Sequence, residues 1–405
     1  MLKYYYKSLD SDKIAMHSWF FIVIENKKPE RNPPMSQKTT IGAAVLFASI
    51  LSACGQTGRG GQVGNSSLQE AWNRANNPIT MRPDLEYTLS RLPLQAALEV
   101  APWSDTYWPS SEGGIAARWN GDGGDDDNAW EYQSPTRSAA GRMSQANLAK
   151  LSPAEKYSIF VDDFSYRLVS SERQRVSPDN ASWEGICHGW APAAINFKEP
   201  KPITLEAANG IKVPFGSADV KALLDYFQGE VASSETRFLG ERCNADLSED
   251  PDAANRPECR DTNAGSFHVV IANLIGLKKK AFVADVTRDQ QVWNQPVHAF
   301  ASEKIREQEP SPGAARGTVK EVVFKTKMTY TVETGAIWDA TNETDEHADK
   351  TVTYTYRVEL NRRGQVIGGE WESKNRPDFL WSQARPRFSG FFSELNDIYK
   401  AATAE

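Results

Sequence analysis

Two stretches late in the chain, EVVFKTKMTYTV (321–332) and KTVTYTYRVEL (350–360), alternate apolar with polar residues. A period of two sends successive side chains to opposite faces, so each stretch predicts a half-buried strand. Asn361-Arg362-Arg363-Gly364 then turns the chain into QVIGGEW (365–371), and the three segments predict an antiparallel sheet. Helical spacing occurs as well: Ser217–Phe227 places Val220, Leu223, Leu224 and Phe227 on one face. The fold class is therefore α+β. With 405 residues and 40% hydrophobic content the chain can bury a sizeable core. The 12 Trp and 13 Tyr also suit aromatic-lined clefts. A net charge of -7 without a long basic run argues against nucleic acid and for a protein or other polymer as partner.

The N-terminal part reads as targeting rather than fold. Met35-Ser36-Gln37-Lys38 is a short basic n-region, followed by the apolar run IGAAVLFASIL (41–51) and Ser52-Ala53-Cys54-Gly55. The run has the length of a signal-peptide h-region and is too short to span a bilayer comfortably. The ending resembles a lipobox, with Cys54 as the lipidated first residue, and Gly55 after it fits sorting to an outer membrane. On this reading residues 1–34 are an upstream extension from a misplaced start, and 35–53 are a lipoprotein signal peptide. Residues 54–67 are a Gly/Ser-rich tether. Residues 68–405 form one compact domain with β additions and no internal repeat. The expected location is a lipid-anchored cell envelope.

Four cysteines occur, at 54, 187, 243 and 259. Lipidation uses Cys54. Cys243 and Cys259 close a short polar loop without nearby His or further Cys, so a disulfide is expected there and a metal site is not. Cys187 is left over. In NASWEGICHGWAPAAINF (180–197) a loop and Gly185 precede Trp190, Ala194 and Phe197 at helical spacing, with Pro192 expected in the first turn. A helix beginning near Gly189 puts Cys187 at its N-terminus, where the dipole and free N–H groups favour a thiolate and can hold an oxyanion. Asn180, Ser182 and Trp183 are candidates for the second oxyanion donor.

A thiol nucleophile needs a base, and the five His are His17, His188, His268, His298 and His347. His17 lies in the extension, His347 in a charged loop, and His188 points away from its neighbour Cys187 on a helix. SFHVVIANLI (266–275) and AFVADV (281–286) read as a hairpin turning at Leu274–Lys278, and that register sets His268 opposite Asp285. The carboxylate would then orient the imidazole. His298 follows VWNQPV (292–297), where Pro296 argues for an edge or turn. Trp293 is a substrate or cleft candidate. Cys at a helix start, then His and Asp on a sheet, is the layout of a papain-like fold, here with an antiparallel β-sheet extension.

These residues resemble the transglutaminase elicitor family. The likeness runs collinearly through PWSDTYWPSSEGGIAARW (102–119), LSPAEKY (151–157), WEGICHGWAPAA (183–194), residues 259–297 and IGGEWESKNRPDFLW (367–381). It implies γ-glutamyl transfer from a protein Gln to an amine. Its partners would be protein or peptide substrates, with Cys187 as nucleophile and His268 and Asp285 completing a triad. The sequence departs from the family at NGDGGDDDN (120–128). Calcium is one reading of that segment and a solvated acidic loop the simpler one, since it lacks EF-hand spacing; no cofactor is required. The 102–119 block is a candidate lid. Resolution of the acyl-enzyme by water would make a cysteine peptidase or amidase, and a non-catalytic surface-binding lipoprotein is the reading from another class.

Overall fold

The alternating stretches become neighbouring strands of one antiparallel sheet in the computed structural model, which describes residues 72–119, 130–256, 259, 261–288, 290–341 and 347–404. The segments carrying Cys54, its flanking signal and tether, and NGDGGDDDN lie outside the described residues. The strands are β1 (Gln95–Ala97), β2 (Ile203–Glu206), β3 (Lys212–Phe215), β4 (Thr236–Leu239), β5 (Phe282–Asp285) and β6 (Asn294–Gln308). They continue with β7 (Lys320–Thr331), β8 (Asp349–Leu360), β9 (Val366–Trp371) and β10 (Leu380–Gln383). The main sheet runs β4-β10-β5-β6-β7-β8-β9, with β1 beside β6, and β2 and β3 pair separately. The helices are α1 (Arg137–Ala140), α2 (Gln145–Ala149), α3 (Pro153–Phe160), α4 (Arg167–Glu172), α5 (Cys187–Asn196), α6 (Ser217–Tyr226), α7 (Ala264–Ile271) and α8 (Leu395–Ala402). Gly64–Glu405 forms one compact unit. Among the described residues no helix is long and apolar enough to cross a membrane.

Two hydrophobic cores lie on opposite faces of the sheet. Val283 of β5 and Trp381 of β10 join the core built by α3 to α6 and α8, whereas Phe282 and Ala284 join the core built by α7. Strand β5 is buried on both faces, so its sequence is nearly continuous in apolar residues. By the same alternation Asp285 emerges on the face of Val283, toward α5. The β7–β9 strands extend this same sheet, with Asn361 Oδ1 accepting from the Arg363 and Gln365 N–H groups at the turn before β9.

Two expectations are overturned. The segment expected as the first hairpin strand is helix α7, capped by Asn263, whose Oδ1 accepts from the Gly265 and Ser266 N–H groups. It continues as a π-helical turn, Ala272–Leu277, so no hairpin turns at Leu274–Lys278. All eight residues of α7 are buried, and a helix surrounded by core loses the polar face that betrays its period. Gly276 is explained by packing: a Cβ there would lie 2.3 Å from Pro93 Cγ. Nor is the 102–119 block a lid, because Trp103, Trp108, Ile115 and Ala116 belong to the helical core.

Candidate active site

Cys187 is the first residue of α5. The Ile186 N–H donates to the Tyr107 carbonyl at 2.7 Å, and the Gly189 and Trp190 N–H groups close the first turn on the Ile186 carbonyl. Ile186 supplies no side-chain cap, so the Cys187 and His188 amides, unlike that of Gly189, keep their donor capacity for a ligand. Pro192 sits deeper than the first turn, and its missing N–H leaves the His188 carbonyl without its helical partner. Helix α5 lies hard against α6: a Cβ on Gly189 would stand 2.1 Å from the Asp225 carbonyl oxygen, so only glycine permits this approach.

The thiol is 6% exposed. Its Sγ lies 3.5 Å from the Val292 carbonyl oxygen and 3.5 Å from Asn294 Nδ2. The backbone amide of Asn294, like its side chain, favours the ionised form of the sulfur. Trp381 Nε1 donates to Asn294 Oδ1 at 2.8 Å, which orients the amide with its NH2 toward the sulfur. Trp293 and Tyr107 pack edge to face beside this point, ring centroids 5.5 Å apart. Asn294 is the cross-strand partner of Asp285, so both face α5. Asp285 Oδ1 accepts from the Thr287 N–H, the Thr287 hydroxyl and the Trp293 N–H, while its Oδ2 is buried with no partner among the described groups.

Burial dominates the electrostatics. It pushes the Cys187 thiol up to about 11, against the two Asn294 donors, and the charges of Glu333 and Asp285 add to the rise. The helix start was expected to lower this value; removal from water outweighs it. Burial also raises the Asp285 carboxyl to about 6, with the Thr287 and Trp293 donors opposing.

His268 is not part of this constellation. Its Nδ1 lies 2.9 Å from the Tyr356 hydroxyl, its ring stacks on Phe324 at 4.6 Å, and Nε2 is buried with no partner among the described groups. Burial alone lowers it to about 4, so it is a neutral core histidine in the α7 core. The predicted His268–Asp285 pair is corrected: β5 pairs with β6, and Asn294 occupies the place assigned to histidine. His188 turns to Glu230 Oε1 at 3.0 Å. His298 and His347 each reach Asp349 Oδ1, at 3.0 and 2.9 Å. Pro296, expected at an edge or turn, lies inside β6, where it pairs with β5 just before the β7 register begins at Val297.

The other candidates divide. Trp293 lies at the thiol. Asn180 is occupied by the Ser110 hydroxyl and the Arg175 carbonyl, and the Ser182 carbonyl accepts from the Tyr107 hydroxyl at 2.6 Å. Trp183 is half-buried in the preceding loop. Cys243 and Cys259 form the expected disulfide, leaving Cys187 as the free cysteine of the described residues. Among these residues no group of three or more His, Cys, Asp or Glu is arranged to hold a metal ion. A cavity of about 1170 Å3 opens at the far end of α5, lined by Pro192, Asn196 and Phe282, and does not include Cys187. Sequence reasoning missed Asn294, although its neighbours Trp293 and Pro296 drew notice; nothing in a lone Asn marks it as a thiol partner before β6 is placed against α5.

Among the described residues the free thiol stands at a helix start, bonded to Asn294 of an antiparallel sheet, with Asp285 as the cross-strand partner of that residue. The chain belongs to the transglutaminase elicitor family, whose profile matches residues 80–394. The crystal structure of the GP42 transglutaminase from Phytophthora sojae is similar in fold, with a TM-score of 0.57 at 23% identity, covering 79% of this chain and 94% of that one. No curated protein matches.

Proposed function

We propose that this protein is a protein-glutamine γ-glutamyltransferase working through Cys187, Asp285 and Asn294 in a papain-like arrangement. The observation carrying the proposal is Asn294, bonded to the thiol and paired across strands with a carboxyl raised to about 6 whose Oδ2 is unpartnered. A carboxyl in that range can both accept and return a proton near neutrality. Cys187 Sγ attacks the carbonyl carbon of a Gln side chain while its proton passes to Asp285. The carboxamide oxygen takes up the electron pair, and the Cys187 N–H and Asn294 Nδ2 donate to it. Asp285 then protonates the leaving nitrogen, ammonia departs and a thioester remains. An acceptor amine gives its proton to Asp285 as it attacks the thioester, and the thiol is regenerated with an isopeptide bond formed.

A thiol at about 11 and a carboxyl at about 6 differ by about 7 kcal/mol in proton affinity. The thiolate is therefore not stored in the resting site; its proton moves as sulfur attacks. Cys187→Ala should abolish monodansylcadaverine incorporation into a Gln-bearing protein, and so should Asp285→Asn, because its amide keeps the Oδ1 acceptor but cannot take a proton. Asp285→Asn should melt no lower than the parent at pH 7, as no buried charge remains. Parent activity should decline as pH falls below about 6. Incorporation retained by either variant would overturn the assignment.

We also propose that the protein works outside the cytoplasm, anchored through lipidated Cys54. The lipobox-like Leu51–Cys54 and the Cys243–Cys259 bridge, a bond suited to an oxidising compartment, support this. A clickable fatty-acid label should enter the expressed protein and be lost in Cys54→Ala; equal labelling of both would refute the anchor.

A further inference from the structure

The cavity at the far end of α5 holds more positive charge than its own carboxylates neutralise. Asp84, Glu199 and Glu235 line it, and each already has a cation. Asp84 has Arg82 at 2.9 Å and Lys278 at 2.7 Å, Glu199 has Lys221 at 2.7 Å, and Glu235 has Arg237 at 2.6 Å. Lys279, Lys280 and Arg385 line the same cavity, and their side chains have no carboxylate partner among the described groups. Strand β10 pairs antiparallel with β5, so the chain entering β5 with the two lysines and the chain leaving β10 with Arg385 lie at one end of the sheet. Arg385 is positioned by two rings. Its guanidinium carbon stands 4.5 Å from the Phe197 ring centroid and 5.2 Å from that of Tyr399, which leaves its N–H groups available. Lys279 follows the π-helical turn Ala272–Leu277 with φ +52°, in the left-handed region, and the Lys280 N–H closes the turn on the Leu274 carbonyl at 2.9 Å. Glycine closes such a turn without strain, and what lysine adds over glycine at this position is a charge on the cavity wall.

We propose that this cavity binds a discrete multivalent anion, a small molecule carrying two or more phosphate or carboxylate groups, through Lys279, Lys280 and Arg385. Cations brought in by separate segments match negative groups that are separated on one ligand, and the planar guanidinium suits the oxygens of either group. A volume of about 1170 Å3 takes in a small molecule whole. The chain as a whole carries a net charge of -7, a field that opposes a long polyanion and leaves the positive charge effective inside the cavity. Cys187 does not line this cavity, so the site is independent of the transfer chemistry proposed above.

Isothermal titration of the full-length protein with inorganic tripolyphosphate and with citrate tests the site and separates phosphate from carboxylate ligands. The parent should bind one or both with a Kd below about 100 µM at low salt, and more weakly as salt rises. Lys279→Gly should weaken binding about ten-fold, the loss expected of one charge-assisted hydrogen bond. The same variant should melt no lower than the parent, because glycine relieves the turn, so a misfolded cavity is excluded as the cause. Arg385→Ala should weaken binding by a similar factor, and Lys327→Ala, which removes an exposed cation from β7 away from the cavity, should leave the affinity unchanged. Saturable binding of neither anion, equal affinity in Lys279→Gly and the parent, or an equal loss in Lys327→Ala would overturn the proposal. So would binding of a long polyanion such as dextran sulfate when neither small anion binds.

Discussion

At the scale of single residues, burial decides what each ionisable group can do. Cys187 and His268 are both withdrawn from water, one raised to about 11 and the other lowered to about 4, because the charged form is penalised in each. For His268 this has a stability consequence. The unfolded chain binds a proton near pH 6.5 and the folded chain only near 4, so its contribution is full above pH 6.5 and lost as pH falls toward 4. The effect amounts to as much as about 3 kcal/mol. His268→Gln should therefore flatten the decline of the melting temperature across that window while retaining amine incorporation per folded molecule. A loss of activity matching that of Cys187→Ala would restore histidine to the catalytic set. Cys187 was legible in the sequence because a cysteine count left it over, and a loop with Gly185 ahead of the helical spacing from Trp190 placed it at a helix start. Asp285 was legible only with the wrong partner.

At the scale of elements, placement depends on what packs where. The β7, β8 and β9 strands and helix α6 carry patterns that survive reading without a structure, since each has a face that distinguishes inside from outside or a spacing that fits one period. Helix α7 does not: SFHVVIANLI is apolar all round, and β-branched residues tipped the reading toward a strand. Its Asn263 cap was the local signal that favoured a helix. The disulfide joins the chain after β4 to the chain before α7, and the Cys243 N–H donates to Asp378, whose own N–H holds the Asp285 carbonyl. With a sequence separation of 16, the bridge should contribute about 3 kcal/mol through the unfolded state. Urea unfolding of the Cys243→Ser, Cys259→Ser double variant should show a loss of that size; an unchanged midpoint would mean the bridge constrains nothing.

At the scale of the whole molecule, the sheet is a wall between two cores, and the candidate site forms where the α5 side of that wall ends. The sequence alone determined the α+β class, the antiparallel C-terminal strands, the disulfide and the cysteine left free of it. These depend on short-range periodicity and on residue types with few alternative uses. Only the tertiary structure decided what faces Cys187. Asp285 and Asn294 come together through strand register, α5 is seated by its close approach to α6 at Gly189, and His268 is carried to the opposite core. Pairing between strands is a long-range choice: a shift of one residue reverses every face, and no local pattern around residue 268 or 294 records which neighbour prevails.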